Sequence, residues 1–126
     1  MKKRIYSVVL LTMISLSITS FNSINKPFLP TVLKVTVLDK LGNTVEGASV
    51  SLYESEDAYF EEKEPMRKAQ KTDEKGRTTF KKLDPIQYYI HAEKGDKDNT
   101  RDNIGEKVST SKLKEGKVNL VNVIIR

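Results

Sequence analysis

Apolar and polar residues alternate over several short stretches of this chain, and this two-residue period limits its fold more than any other feature. Leu33, Val35 and Val37 fall on one side of an extended segment, while Lys34 and Thr36 fall on the other. Such alternation predicts a strand with one buried face. Similar strand-like segments lie at 33–38, 48–53, 67–72, 77–81, 88–92, near Val108 and at 118–125.

Turn signals separate these segments. Residues 39–43 begin with Asp39 and contain Gly42 and Asn43, and residues 73–76 run from an Asp to a Gly. Asp accepts backbone N–H groups in turns, while Gly and Asn tolerate positive φ, so we expect positive φ at Gly42 and Asn43. No helical period is sustained beyond the N-terminal region. About seven short strands with regular turns predict an all-β fold, a seven-stranded Greek-key β-sandwich.

The inward faces of these strands predict the hydrophobic core. In a strand, every second side chain points to the inward face. The expected core is Leu33, Val35, Val37, Ala48, Val50, Leu52, Phe80, Ile90, Val121 and Val123.

The N-terminal region predicts export. Lys2, Lys3 and Arg4 precede an apolar run that extends from Ile5 to about Ile18, and small polar residues follow it. This order is typical of a secretory signal peptide. The run is shorter than the roughly 20 residues of a membrane anchor. We expect a signal peptide at 1–23, a lead-in at 24–32 and one domain at 33–126.

Cleavage after Ser20 fits the leader best, because it places Ile18 and Ser20 at the −3 and −1 positions. Cleavage after Ser23 is the alternative. Either product is expected to be extracytoplasmic, in the periplasm or secreted, with no transmembrane anchor.

Composition argues against several classes of partner and of chemistry. Three of the 22 basic residues lie in the leader, which leaves 19 against 17 acidic residues and a net charge of +2. The two signs are mixed along the chain, whereas nucleic-acid binders cluster Lys and Arg, so no nucleic acid is expected. The chain has no cysteine. Lipidation of an N-terminal cysteine, thiol catalysis and Cys-zinc sites are therefore excluded.

Two stretches carry a resemblance to a known family. Residues 35–52 read VTVLDKLGNTVEGASVSL, and residues 72–83 read TDEKGRTTFKKL, with YYIHA following at 88–92. This pattern resembles the carboxypeptidase regulatory-like domain, a transthyretin-like (prealbumin-like) β-sandwich. It covers about 33–95, and the later segments are compatible with the remaining strands.

The resemblance implies a scaffold without an active site. Such domains occur as accessory units on carboxypeptidases, outer-membrane receptors and adhesive surface proteins. Short exported forms similar to this chain are typical of the Bacteroidota. The resemblance therefore implies an extracytoplasmic accessory or binding module, with an unknown protein or glycan at the cell surface as its partner.

Residues for catalysis are not found in a productive pattern. His91 is the single histidine and lies in a strand, facing away from Ile90 and Ala92. A general base would also need a nucleophile and an orienting partner. We expect a surface histidine that contacts a neighbouring side chain, no catalytic residue and no bound cofactor. An internal isopeptide bond is not expected either, because alternation places Lys34 on the solvent side.

The pattern of oxygen-bearing side chains in one loop predicts a metal site. Asp96, Asp98, Thr100 and Asp102 alternate, as the first ligands of a calcium loop do. The pattern departs from an EF-hand at Arg101, where the sharp turn needs Gly. A weak extracellular Ca²⁺ site is one hypothesis. A solvated loop whose side chains cap its own turns is the alternative.

The acidic segment 54–65 predicts a second surface site. Tyr59 and Phe60 lie in its middle, and one short helical turn is compatible with its sequence. Aromatic residues on a loop that a rigid sandwich supports are common in protein and glycan recognition. The alternative is that both rings fold back over the sandwich edge.

Overall fold

The computed structural model describes residues 28–61, 63–100 and 109–126. Within these ranges the chain forms seven β-strands and one short α-helix. The predicted leader lies outside the described residues. The elements are β1 (Val32–Leu38), β2 (Ser49–Tyr53), α1 (Glu56–Phe60), β3 (Arg67–Lys71), β4 (Arg77–Phe80), β5 (Tyr89–Lys94), β6 (Lys97–Asp98) and β7 (Val118–Ile124).

The strands form two sheets. One has the order β4-β1-β7 and the other β3-β2-β5-β6. Strands β1 and β7 are parallel, with Val32 opposite Val118 and Leu38 opposite Ile124. The other pairs are antiparallel. The predicted all-β, seven-stranded sandwich is confirmed.

The core lies between the sheets, where the alternation placed it. In β1, Leu33, Val35 and Val37 are buried and the residues between them are half-buried. Of the predicted core residues, Val121 alone is only partly buried, and the other nine are at most 1% exposed. The core also contains Ala92, on the same face of β5 as Ile90, and four residues from loops and strand ends: Leu83, Tyr88, Leu113 and Ile125.

One predicted strand differs from the structure, and one observed strand was not predicted. Val108 lies outside the described residues, and Ser109 beside it forms an isolated bridge with Tyr89. The next residues lie beside the start of β5 without forming a strand. There the Thr110 N–H donates to the Tyr88 carbonyl at 2.8 Å. The seventh strand is instead β6, which the sequence analysis assigned to a loop. Two residues are too few to show a period.

Both predicted turns connect strands of opposite sheets. The Asp39 carboxylate accepts from the backbone N–H groups of Leu41 and Asn43, each at 2.9 Å. Gly42 has φ of +84°, as expected. The expectation of positive φ at Asn43 is wrong, since its φ is not positive. Its N–H donates to the Asp39 carboxylate and its carbonyl accepts from Asp39 N–H.

Among the described residues, Lys82 is the non-glycine with positive φ, at 55°. The Arg67 guanidinium donates to the carbonyls of Lys81 and Lys82, at 3.1 and 2.9 Å. These two bonds hold the end of β4 against the start of β3. Nothing in the local sequence signals this contact.

The helix α1 has five residues, so no helix of the described ranges is long and apolar enough to span a bilayer.

Candidate functional site

The helix α1 stands at the centre of the acidic segment and begins at a capped residue. The Ser55 hydroxyl accepts from the backbone N–H of Ala58 at 3.1 Å. Glu56 and Asp57 occupy the first turn, where negative side chains favour the helix dipole. A five-residue helix is marginal by itself, so its position depends on what it packs against.

Tyr59 provides that packing. It is 6% exposed, and its ring lies 5.8 Å from Tyr53 and 6.2 Å from Tyr89, measured between ring centroids. These two tyrosines are direct partners across β2 and β5. The His91 ring lies edge-on to Tyr59, at 6.3 Å. The four rings form an aromatic cluster on the outer face of the four-stranded sheet, and this cluster anchors α1.

Phe60 has the opposite environment. Its side chain is 60% exposed, and its ring meets the edge of Tyr59 at 5.5 Å. The two aromatic residues, predicted as one pair, therefore have separate positions. Tyr59 folds back onto the sandwich, as the alternative hypothesis held, while Phe60 extends from the helix end into solvent.

Exposed carboxylates neighbour Phe60 along the chain. Asp57 and Glu61 are exposed in and beside α1. Glu61 forms an ion pair with Lys63 at 2.6 Å, in which both side chains are more than half exposed. An exposed pair of this kind contributes little to stability.

The β5–β6 hairpin adjoins the aromatic cluster. Burial raises the pKa of the Tyr59 phenol, the Asp98 charge raises it further, and a side-chain hydrogen bond with Asn99 acts in the opposite direction. The two sites that the sequence predicted separately are therefore neighbours in space. They are joined by the pairing of β5 with β2 and β6.

The predicted calcium ligands have distinct places on this hairpin. Asp96 is exposed in the turn between β5 and β6, and Asp98 lies on β6. The Asp98 carboxylate accepts from both the backbone N–H and the hydroxyl of Thr100, each at 2.8 Å. Asp102 lies outside the described residues. The residues that the structure describes hold no group of three or more metal-ligating His, Cys, Asp or Glu side chains.

Asn99 has a structural role that the sequence analysis missed. Its side-chain carbonyl accepts from Ala92 N–H at 3.1 Å, and its amide donates to the Ile90 carbonyl at 2.7 Å. The amide thus continues the hydrogen-bonding pattern of the sheet beyond β6. An Asn in a polar loop carries no sequence signal for this role, because its partners lie on another strand.

Residues considered for chemistry occupy packing positions. His91 is half-buried on β5 and contacts Tyr59, as expected for a strand histidine beside a neighbouring side chain. Lys34 is half-buried on the face of β1 opposite to the buried Val35. The alternation thus placed both residues correctly.

Comparisons with known proteins relate the chain to other sandwiches. No family model matches it, and no curated protein does. The Bacillus anthracis TIE protein has a TM-score of 0.52 and 22% identity over 77% of this chain and 17% of its own. A streptococcal ancillary pilin has a TM-score of 0.51 and 14% identity over 79% and 33%. Hydroxyquinol 1,2-dioxygenase from Pseudomonas putida DLL-E4 reaches only 0.48, at 10% identity over 80% and 57%.

The chain thus spans about a sixth of the first of these proteins and a third of the second. At these identities the similarity shows the β-sandwich fold and nothing finer. The dioxygenase similarity is too weak to support an argument.

Proposed function

We propose that this chain is a non-enzymatic, exported accessory or binding module that recognises a protein or glycan at the cell envelope through the surface around Phe60. One observation supports the proposal above the others: Phe60 is 60% exposed, although Tyr59 beside it is fixed in an aromatic cluster. A large apolar side chain is thus held outward from a rigid support.

The geometry suits recognition for two reasons. An aromatic ring on a preformed support loses little conformational entropy on binding, so more of its contact area contributes to affinity. The exposed carboxylates of Asp57 and Glu61, in and beside the same helix, would supply the polar groups around this apolar side chain. This arrangement is typical of binding hot spots.

Export and the accessory role come from sequence and fold together. The leader at 1–23 directs the chain out of the cytoplasm in this proposal. The resemblance to carboxypeptidase regulatory-like domains adds an accessory role, and an ancillary pilin contains a sandwich of the same fold. The chain would act by holding a partner, without catalysis or a resident cofactor.

The test compares two exposed phenylalanines. Protein purified from cells that express the whole sequence is applied to a glycan array and to detergent-extracted envelope proteins on a biosensor. Phe60→Ala should weaken the binding that the wild type shows by about tenfold, or about 1.4 kcal/mol. Phe28→Ala is the matched control, because Phe28 is 85% exposed in the lead-in. The affinity of the Phe28→Ala protein for the same probes should remain within about twofold of wild type.

Two results would overturn the proposal. One is equal affinity of the Phe60→Ala protein and the wild type for every probe that binds. The other is a wild type that binds neither the glycans nor the envelope proteins.

A calcium-stabilised surface protein is the alternative function. It rests on the oxygen-bearing side chains of Asp96, Asp98, Thr100 and Asp102 within one short segment. A Ca²⁺ ion there would replace the bonds that Asp98 makes to Thr100. The site would then stabilise the hairpin beside the aromatic cluster.

Thermal melts in millimolar Ca²⁺ and in chelator test this alternative. A ligand that binds only the folded state adds about 2.7 kcal/mol at 100 times its dissociation constant, so the melting temperature must rise. Asp98→Ala should abolish the rise. Asp39→Ala, which removes another turn-capping carboxylate, should retain it. Identical wild-type melts in the two conditions would rule the site out.

A further inference from the structure

In the described part of the chain the two sheets have four edge strands, and three of them have features that discourage pairing with another chain. Strand β3 carries Arg67, Lys68 and Lys71, and it meets β2 through a shift in register. Strand β6 has two residues. Strand β4 has four residues and begins with Arg77. Charge, irregular register and short length are the usual means by which proteins protect sheet edges.

The fourth edge, β7, has none of these features. It is seven residues long and reads VNLVNVI, without a charged residue or a proline. Among the described residues β7 itself pairs on one side only, with β1, while Arg126 just beyond its end exchanges two backbone hydrogen bonds with Asp98 of β6. Val118, Leu120 and Ile124 on its outer face are 59%, 76% and 46% exposed. A long, uncharged and apolar edge is a template for a further strand.

The backbone of β7 shows which groups this edge presents. The Lys117 carbonyl accepts from Val32 N–H, and Ile125 N–H donates to the Leu38 carbonyl. The odd-numbered residues therefore direct their backbone groups toward β1. Successive residues of a strand alternate in this respect. The even-numbered residues, which include the three exposed apolar ones, therefore direct their N–H and C=O groups away from β1.

We infer that β7 pairs antiparallel with β7 of a second copy of this chain, about a twofold axis at Val121. In this register Leu120 lies opposite Asn122 of the partner subunit, and Val118 lies opposite Ile124 of the partner subunit. All four are even-numbered, so each pair exchanges two main-chain hydrogen bonds. A twofold axis at Val121 thus uses every outward backbone group of the strand.

Three features favour a second copy over a foreign strand. The strand matches itself in the antiparallel direction, since apolar Val118 and Ile124 become cross-strand neighbours. Leu120 reaches its own copy along the diagonal. No like charges are brought together, because β7 has no charged residue, although 31% of the chain is charged.

The geometry also explains why assembly would stop at two. Pairing through β7 joins the two three-stranded sheets into one sheet with the order β4-β1-β7-β7-β1-β4. Both new ends are β4, the short edge that begins with Arg77. A twofold contact of this kind is closed, so it forms a dimer and no fibre.

Sedimentation velocity over a concentration series tests the pairing with protein purified from cells that express the whole sequence. We expect a reversible monomer–dimer equilibrium. Leu120→Lys places a charge on the edge and should raise the dissociation constant at least tenfold. Ala69→Lys adds the same charge to the exposed face of β3 and should leave the dimer unchanged.

A second variant removes a hydrogen bond without adding charge. Asn122→Pro deletes an N–H group that points away from β1, where an edge strand tolerates proline. Dimerisation should weaken, while the far-UV circular dichroism spectrum of the monomer should stay that of the wild type.

A cross-linking measurement remains informative if either variant fails to fold. The chain has no cysteine, so Val121→Cys introduces one thiol beside the proposed axis. Opposite residues of a non-hydrogen-bonded pair lie about 4.5 Å apart, measured between Cα atoms, which is within disulfide range. Oxidation should give a covalent dimer, and Ala69→Cys should stay monomeric.

The inference is overturned if the wild type is monomeric at about 100 µM, since a specific interface would bind below that concentration. It is also overturned if the folded Leu120→Lys and Asn122→Pro proteins both dimerise like the wild type. Leu120 lies in the three-stranded sheet and Phe60 on α1, which packs against the four-stranded sheet, so failure of the dimer leaves the proposed recognition surface unaffected.

Discussion

Single residues hold the two sheets together where the chain crosses between them. The Thr72 hydroxyl accepts from Ala48 N–H at 2.9 Å and donates to the Val45 carbonyl. It is 5% exposed, so both bonds are shielded from water. Gly76 follows in the next turn and packs against Val37 and Val45. The turn between β3 and β4 thereby lies against the turn between β1 and β2.

Gly76 is expected to be intolerant of any side chain. A Cβ there would lie 2.9 Å from the Val37 carbonyl oxygen and from the Val45 nitrogen, and φ is +70°. Gly76→Ala should therefore destabilise the fold more than Gly42→Ala, which has φ of +84° but open space around it. We expect an excess loss of about 1–3 kcal/mol in urea unfolding. Equal losses would show that backbone conformation alone matters at Gly76.

Acid should destabilise the protein through its two turn aspartates. Hydrogen bonds from the backbone N–H groups of Asn43 and Arg77 lower the pKa of Asp39 and Asp73, respectively, from 3.8. Because the folded pKa is the lower one, this stabilisation is present above the unfolded pKa and is lost as pH falls through the folded pKa. Asp39→Asn/Asp73→Asn should have a shallower fall in unfolding free energy between about pH 5 and pH 2. Parallel curves for variant and wild type would contradict this assignment.

At the scale of elements, short segments depend on neighbours that are distant in sequence. The helix α1 is held by the aromatic cluster on β2 and β5, and the β5–β6 hairpin is completed by the Asn99 amide. Strand β3, at the edge of its sheet, pairs with β2 through a shift in register. None of these elements has a sustained hydrophobic period of its own, so tertiary contacts decide their positions.

Tyr59 should control the order of α1. Tyr59→Ala removes the anchor, so amides in 56–60 should lose protection from hydrogen exchange while those of β1 and β5 keep theirs. Tyr59→Phe retains the ring and is the matched control. Protection of α1 unchanged in Tyr59→Ala would show that the helix is held by other contacts.

Across the whole molecule, the first and last strands close the fold. Strands β1 and β7 run parallel through seven residue pairs, from Val32–Val118 to Leu38–Ile124. Ile125 extends this contact by a hydrogen bond to the Leu38 carbonyl and is 1% exposed in the core. Residues far apart in sequence are therefore neighbours in the three-stranded sheet.

Adjacent isoleucines provide a test of this closure. Ile125→Ala should cost about 2–5 kcal/mol, because it empties a buried site. Ile124→Ala changes the neighbouring side chain, which is 46% exposed, and should stay within about 0.5 kcal/mol. Chemical denaturation at a concentration that keeps the chain monomeric measures both. Similar losses for the two variants would mean that β7 is not packed as described.

The sequence by itself determined the sandwich and its core, because alternation is a local property that records which face of a strand is buried. Leu33, Val35 and Val37 could be assigned to the core in this way. Tertiary structure alone decided that Tyr59 is an anchor while Phe60 is exposed, because both lie in one helical turn and only the neighbouring sheet distinguishes them. The unprotected edge of β7 is likewise a consequence of strand order, which depends on pairing between distant segments and leaves no periodic signal in the chain.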